Sequence, residues 1–168
     1  CKGLDLSHWV VVGNGGEPVL PQTMEAFCRK FEPYGFRPQT FMPCYGMAES
    51  VLFVAGLKSL SLPPKMLTLS PKDLEKNIVR VVTENENGER TVVSCGRPGY
   101  DHRVIAVDPV SLTPSDPDQV GELWVQGPSV PGGYWGLPEE SEATFEGRLA
   151  GTNEGPFLRT GDMGFVSD

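Results

Sequence analysis

The chain has 168 residues, 39% hydrophobic and 21% charged, which fits one globular domain, or one small domain and a piece of another, rather than a disordered segment. Its formal net charge of −8 argues against a nucleic-acid-binding surface, which needs clustered Lys and Arg side chains. No apolar run approaches the roughly 20 residues of a membrane-spanning helix.

The first third of the chain predicts a strand, a helix and a second strand. The apolar run at residues 9–12 is typical of a strand buried on both faces. Pro21 opens a helical pattern in which the apolar residues are Met24, Phe27, Cys28 and Phe31, and residues 40–42 predict the next strand. Residues 9–12 and Phe41 are therefore expected to be neighbours in one parallel sheet. In such a unit, ligands bind at the carboxyl ends of the strands, which here are the loops 13–18 and 45–49.

From about residue 57 the chain changes to short predicted strands separated by Gly- and Pro-rich turns. Residues 78–82 and 91–94 flank Asn87-Gly88, which is a strong hairpin signal because both residues accept positive φ. Further strands are predicted over residues 104–107, 122–126 and 157–159. This half is therefore expected to form a mainly antiparallel small barrel or folded sheet.

The cysteines and histidines are too few and too scattered for a zinc site. The four cysteines form no CxxC pair, and His8 and His102 are the only histidines. Free thiols in a reducing cytoplasm are the expected state of the cysteines.

Three segments have the composition of a ligand site. In the first, Gly13-Asn14-Gly15-Gly16-Glu17-Pro18, glycines allow the backbone to approach a flat ligand closely. The loop lacks the GK[ST] ending of a phosphate-binding P-loop, and a plain tight turn is the alternative interpretation.

The second segment, Tyr45-Gly46-Met47-Ala48-Glu49-Ser50, contains an aromatic side chain and a carboxylate. The third segment, Leu158-Arg159-Thr160-Gly161-Asp162, contains another carboxylate. Tyr45, beside a glycine, can stack on a base, which contributes about 1–3 kcal/mol in nucleic-acid sites. Glu49 can ligate a hard cation such as Mg²⁺. Asp162, after Gly161, can accept the hydroxyls of a ribose. A buried core tyrosine, a solvated glutamate and a turn-forming aspartate are the alternatives.

Taken in order, these segments resemble the later core motifs of the adenylate-forming superfamily, which includes acyl-CoA synthetases, nonribosomal-peptide adenylation domains and luciferases. Residues 121–130 (GELWVQGPSV) and 132–135 (GGYW) resemble its GELxVxGxxVxxGYW segment, and residues 94–98 (SCGRP) resemble the GxP start of a short strand. Residues 14–19 (NGGEPV) and 45–49 (YGMAE) resemble the NGxEPV loop and the YGxAE motif of one branch, the fatty acyl-AMP ligases.

Two further features agree with that branch. Ala48 stands where many relatives outside it carry Thr, whose hydroxyl would contact phosphate. The chain is also long between Glu49 and Gly96, where the ligases carry an inserted element, and residues 57–92 are the candidate for it.

The resemblance implies an α/β plus β fold and an internal fragment of a ligase's large N-terminal domain. Residues 1–56 would form the C-terminal part of an α/β nucleotide-binding, adenylate-forming subdomain. Residues 57–168 would form a small, antiparallel, β-barrel-like subdomain that includes the inserted element.

The implied reaction joins a fatty acid to ATP with Mg²⁺, giving acyl-AMP and pyrophosphate, before acyl transfer to the phosphopantetheine arm of an acyl carrier protein. The remainder of the same polypeptide is a further expected partner, and the expected location is cytoplasmic. A fatty acyl-CoA synthetase and a non-catalytic partner-docking module are the alternatives. The family's phosphate loop and catalytic lysine are not among these 168 residues. The chain alone is therefore expected to be inactive and to bind ATP no better than roughly millimolar.

The resemblance also assigns roles to residues. Those implied to bind the nucleotide are Gly15, Gly16, Glu17, Pro18, Tyr45, Gly46, Met47 and Asp162. The loop 15–18 would line the adenine and Tyr45 would stack on it, while Asp162 would bind the ribose hydroxyls. Glu49 is the predicted catalytic and metal-binding residue. Arg159 and Thr160 would orient the loop, and a structural ion pair is the alternative for Arg159.

Overall fold

A computed structural model describes residues 2–57, 61–83, 88–99 and 101–167. Its first unit is a parallel strand pair with a connecting helix. Strand β1 (Val12–Asn14) runs parallel to β2 (Phe41–Pro43), with Val12 opposite Phe41, as the sequence predicted. Helix α1 (Pro21–Phe31) joins them and begins at the predicted proline.

The helix is held by an aromatic core. The ring of Phe27 lies 5.0 Å from the ring of Phe36 and 5.6 Å from that of Phe41, both in edge-to-face geometry. Phe36, Phe41 and Met24 are almost fully buried. Edge-to-face pairs add about 0.5–1.5 kcal/mol each beyond the burial of their area. This core therefore holds helix α1 against β2.

The prediction that residues 9–12 form a strand buried on both faces is wrong. The strand starts at Val12, and the side chains of Trp9, Val10 and Val11 are 42%, 61% and 45% exposed. Within the described part of the chain β1 pairs only with β2, so it has neither a second neighbour nor a second covered face. An apolar run shows which side chains a strand could bury, but the neighbouring elements determine which of them are buried.

The middle of the chain contains two small antiparallel ladders. Strand β3 (Ala55–Leu57) pairs with β6 (Arg97–Pro98), and β4 (Met66–Leu69) pairs with β5 (Arg90–Val93). The short helix α2 (Pro71–Leu74) follows β4.

The predicted hairpin between residues 78–82 and 91–94 is wrong. Leu69 pairs with Arg90 on one edge of β4 and bridges to Val81 on the other, so β4 lies between the two segments. Pairing with a strand distant in sequence overrides the local turn signal. Asn87 lies outside the described residues, while Gly88 has the positive φ of 85° that a turn requires.

The last part is a three-stranded antiparallel sheet of β7 (Arg103–Val107), β8 (Gly121–Gln126) and β9 (Leu158–Gly164), in that order. Helix α3 (Pro138–Phe145), which the sequence analysis did not predict, contacts β9. The described strands form four separate small sheets and close no barrel, so the barrel-like expectation is not met. The division near residue 57 and the inserted element at 57–92 remain predictions.

One core cluster connects the first unit to the three-stranded sheet. Val54, just before β3, packs with Val125 of β8 and Leu158 of β9, and all three are fully buried. Tyr45 and Met47 pack against the same cluster. The cluster therefore brings the loop after β2 to β9. None of the helices described here has the length and apolarity that crossing a bilayer requires.

Candidate functional site

Two loops meet at the carboxyl ends of β1 and β2. The backbone N–H of Cys44 donates to the carbonyl oxygen of Asn14 at 2.8 Å. A Cβ on Gly15 would lie 2.7 Å from the carbonyl oxygen of Cys44, closer than real Cβ atoms come, so this approach requires glycine. Gly15 thus lies against the residue that precedes Tyr45. The rest of the predicted adenine loop, residues 16–18, is exposed.

The segment after β2 doubles back tightly. The N–H of Tyr45 donates to the carbonyl of Ala55 at 2.8 Å, and the N–H of Ala55 donates back to Tyr45 at 2.9 Å. A Cβ on Gly46 would lie 1.5 Å from the carbonyl oxygen of Leu52, so any side chain here would displace the returning backbone. The sequence analysis assigned Gly46 to ligand contact. The structure shows a separate reason for glycine at this position, because the returning backbone leaves no room for a side chain.

The turn that follows Glu49 carries backbone strain. Val51 and Leu52 adopt φ of 53° and 80°, in the left-handed region that β-branched and bulky residues avoid. The N–H groups of Ser50 and Leu52 and the hydroxyl of Ser50 all donate to the carbonyl of Met47 at 3.0–3.1 Å. Such strain persists only where the surroundings over-determine it, and these three bonds do so.

Tyr45 connects this segment to β9. Its hydroxyl donates to Oδ2 of Asp162 at 2.6 Å, although the two residues are 117 positions apart. Burial of the phenol, followed by the hydrogen bond to the Asp162 carboxylate, raises the pKa of Tyr45 well above its ordinary value of about 10. Tyr45 is thus a neutral donor at any physiological pH.

Asp162 is carried by a bulge in β9. Opposite β8, Met163 pairs with Glu122 and Arg159 pairs with Trp124, so residues 160–162 stand against the single residue Leu123. The Thr160 hydroxyl donates to the Leu123 carbonyl at 2.7 Å, and the Asp162 N–H donates to that hydroxyl at 3.1 Å. Bulges of this kind re-aim a side chain and are frequent beside active sites.

Glu49 lies in a cleft that residues 159–161 of β9 also line. Its Oε1 accepts a 2.8 Å hydrogen bond from the hydroxyl of Tyr134. An open cleft of about 410 Å³ lies here, and its lining includes Met47, Glu49, Tyr134, Arg159, Thr160 and Gly161. Of the alternatives for Arg159, the ion pair is observed, with Nη2 lying 3.2 Å from Oε2 of Glu122.

The structure therefore joins Tyr45 to Asp162 and places Gly15 against Cys44, while Met47 and Glu49 line the cleft together with residues 159–161 of β9. The sequence analysis gave no role to Tyr134 or Glu122. Both lie in the GELWVQG and GGYW stretches quoted above, but the sequence does not show which residues their polar side chains contact. Across the described ranges, no group of three or more His, Cys, Asp or Glu residues forms a metal cluster.

Comparison with known proteins gives matches over nearly the whole chain. A medium-chain-fatty-acid–[acyl-carrier-protein] ligase, JamA, from Moorena producens is 47% identical over 98% of the chain. A long-chain-fatty-acid–AMP ligase, FadD32, from Mycolicibacterium smegmatis is 37% identical over 98% of it. A crystal structure of fatty acyl-adenylate ligase from L. pneumophila, in complex with acyl adenylate and pyrophosphate, superposes with a TM-score of 0.91 at 42% identity over 99% of the chain.

The chain spans about 28% of the length of the two curated relatives and 29% of the chain in that crystal structure. The family model of the AMP-binding enzymes matches residues 2–135. Its match ends before β9, but the relatives extend the similarity to the whole sheet. On this match and on the 47% identity to a fatty acid ligase, the chain belongs to the family of AMP-binding enzymes.

Proposed function

We propose that the polypeptide containing this chain activates a fatty acid with Mg-ATP and passes the acyl group to a carrier protein. In the first step a carboxylate oxygen of the fatty acid attacks the α-phosphorus of ATP, the α–β phosphoanhydride bond breaks, and acyl-AMP and pyrophosphate form. In the second step the phosphopantetheine thiol displaces AMP. Similarity to a fatty-acid–AMP ligase and to a fatty-acid–carrier ligase supports this assignment.

The hydrogen bond between Tyr45 and Asp162 is the observation that carries the proposal. It joins the loop after β2 to β9, so that an aromatic ring and a carboxylate lie within one hydrogen bond of each other. A nucleoside needs this combination, because its base offers a flat face and its ribose offers two hydroxyl donors. Asp162 is exposed and has the second carboxylate oxygen available for a ribose.

The proposed nucleotide contacts follow from this pair. Tyr45 stacks on the adenine, which the backbone of residues 15–18 lines, while Gly46 and Met47 face the acyl-phosphate end. The close approach of Gly15 to Cys44 supports the placement, because it holds the loop beside Tyr45. AMP and ATP as ligands agree with the family match, and the magnesium ion remains part of the proposal.

Glu49 is the residue proposed to hold Mg²⁺. The ion would neutralise phosphate charge, which is the chemistry that it supplies in phosphoryl-transfer enzymes. A single protein carboxylate is compatible with this, because Mg²⁺ commonly takes one or two carboxylates and completes its shell with water and substrate phosphates. Glu49 lines the open cleft with one oxygen bonded to Tyr134.

The proposed location is the cytoplasm. Of the cysteines within the described ranges, Cys28, Cys44 and Cys95 are all unpaired thiols. Such thiols persist in a reducing compartment, which supports the proposed location.

The test uses the natural polypeptide that contains this sequence. It is incubated with a fatty acid and Mg-ATP, and acyl-AMP is followed by mass spectrometry and pyrophosphate by a coupled assay. We expect acyl-AMP to accumulate, with little thioester on adding CoA and rapid acylation of an added phosphopantetheinylated carrier protein. Efficient acyl-CoA formation would identify a synthetase instead, and absence of pyrophosphate release would favour a non-catalytic docking module.

A further inference from the structure

The bulge in β9 breaks the ladder with β8 and leaves backbone groups without ladder partners. Between the pairs Glu122–Met163 and Trp124–Arg159, the carbonyl of Leu123 and the N–H of Gly161 lose the partners that a regular strand would offer. Backbone groups that leave a ladder need other hydrogen-bond partners, and here side chains supply them. Gly161 also has φ of +73°, a conformation that the bulge requires and that glycine tolerates.

Two side chains fill these positions. Oε1 of Glu122 accepts from the N–H of Gly161 at 3.1 Å, while Oε2 accepts from Nη2 of Arg159 at 3.2 Å. The hydroxyl of Thr160 donates to the Leu123 carbonyl and accepts from the N–H of Asp162. Glu122 is only 6% exposed, so its carboxylate is a buried group held by both contacts.

We propose that Glu122 and Thr160 are positioning residues that hold the bulge and so present Asp162 to Tyr45 and to the nucleotide. The contacts run from Glu122 to Gly161 and from Thr160 to Asp162, and end at the 2.6 Å bond between Asp162 and Tyr45. The link to Tyr45 depends on this structure alone. The link to the nucleotide rests on the proposed function.

The first readout needs no ligand. In the natural polypeptide labelled with ¹³Cζ-tyrosine, the Tyr45 signal is assigned by its loss in Tyr45→Phe, and Asp162→Ala gives its position without the hydrogen bond. Glu122→Leu removes both acceptors at similar size, and Thr160→Val removes only the hydroxyl. Each should move the Tyr45 signal at least half of the way to the Asp162→Ala position.

The second readout is kinetic. We expect Glu122→Leu to raise the KM for ATP by about tenfold, equivalent to about 1.4 kcal/mol, because the ribose contact is misplaced before chemistry begins. The kcat should change less than the KM. Glu122→Gln keeps an acceptor for Gly161, and it should retain the wild-type Tyr45 signal and a KM within about threefold of wild type.

Met24→Ala is the matched control for destabilisation alone. Met24 is almost fully buried in helix α1 and belongs to the aromatic core cluster, which contains no residue of β8 or β9, so the variant loses stability without touching the bulge. It should leave the Tyr45 signal in place.

The outcomes separate the two proposals. Folded Glu122→Leu and Thr160→Val variants with unchanged Tyr45 signals would overturn the positioning role, even if the KM rose. A Gln variant as impaired as the Leu variant would contradict the role of the Gly161 contact. Shifted Tyr45 signals in a polypeptide that binds no ATP would uphold positioning and reject the proposed function. If Glu122→Leu does not fold, Thr160→Val decides the same question.

Discussion

The hydroxyl of Tyr134 donates a 2.8 Å hydrogen bond to Glu49, a residue 85 positions earlier in the chain. With the bond from Tyr45 to Asp162, this gives two tyrosine–carboxylate pairs among the described residues, each joining distant segments. The ring of Tyr134 also packs edge-to-face on Phe145 at 5.1 Å, so its position does not depend on the hydroxyl alone.

Under the proposed role of Glu49, Tyr134→Phe should weaken the use of magnesium without unfolding the protein. The ring contact with Phe145 remains, while Glu49 loses the donor that fixes its carboxylate. We expect the Mg²⁺ concentration for half-maximal adenylation to rise by about three- to tenfold, as for one hydrogen bond to a charged group near the surface. Titration of pyrophosphate release with Mg²⁺ measures it, and an unchanged midpoint would mean that Tyr134 does not position Glu49.

Gly46→Ala should be the most disruptive glycine substitution at the site. The new Cβ would lie 1.5 Å from the Leu52 carbonyl oxygen, so the returning backbone must move. We expect loss of at least about 3 kcal/mol in the free energy of unfolding, comparable to a severe core change, and loss of adenylation. Denaturant unfolding checks this against Gly132→Ala, where the added Cβ meets nothing within 4 Å and stability should change little.

Tyr45 should make the protein more sensitive to alkali. Its pKa is raised in the folded state by burial and then by Asp162, so the folded protein keeps the phenolic proton where the unfolded chain loses it. The resulting stability is complete below the unfolded pKa of about 10 and falls as pH rises above it toward the folded pKa. Urea unfolding at several pH values should show a smaller alkaline loss for Tyr45→Phe than for the wild type. Equal losses would contradict the raised pKa.

Leu158→Ala should test the core cluster beneath the site. Leu158 is fully buried against Val54 and Val125, and removing its side chain leaves a cavity where the two halves of the chain meet. The expected loss is about 2–5 kcal/mol of unfolding free energy. Val110→Ala, at a side chain 90% exposed, should stay within about 0.5 kcal/mol of wild type in the same denaturation experiment.

Local sequence patterns were sufficient to predict helix α1 and the parallel pair of strands that it connects. Pro21 and the spacing of Met24, Phe27 and Phe31 placed helix α1 correctly, and the parallel pairing of Val12 with Phe41 was foreseen. These features depend on residues close in sequence or on a strand–helix–strand order that has one common solution.

Other features depend on neighbours that a sequence pattern does not show. Helix α3 has a weak apolar stripe, and only its contact with β9 makes it identifiable. The β4–β5 pairing required tertiary contacts that overrode the hairpin signal. The site motifs were found through resemblance, but the bonds made by Tyr134 and Glu122 join residues 37 or more positions apart, which spacing alone does not predict.

The close approaches at Gly15 and Gly46 bear on how related genes are interpreted. Both glycines are required by the path of the backbone, since a Cβ would lie 2.7 Å and 1.5 Å from neighbouring carbonyl oxygens. A descendant that had abandoned catalysis would still need them in order to fold. In a genome survey, these glycines would therefore mark the fold, whereas under the proposed function the simultaneous loss of Glu49 and Asp162 would mark a pseudoenzyme.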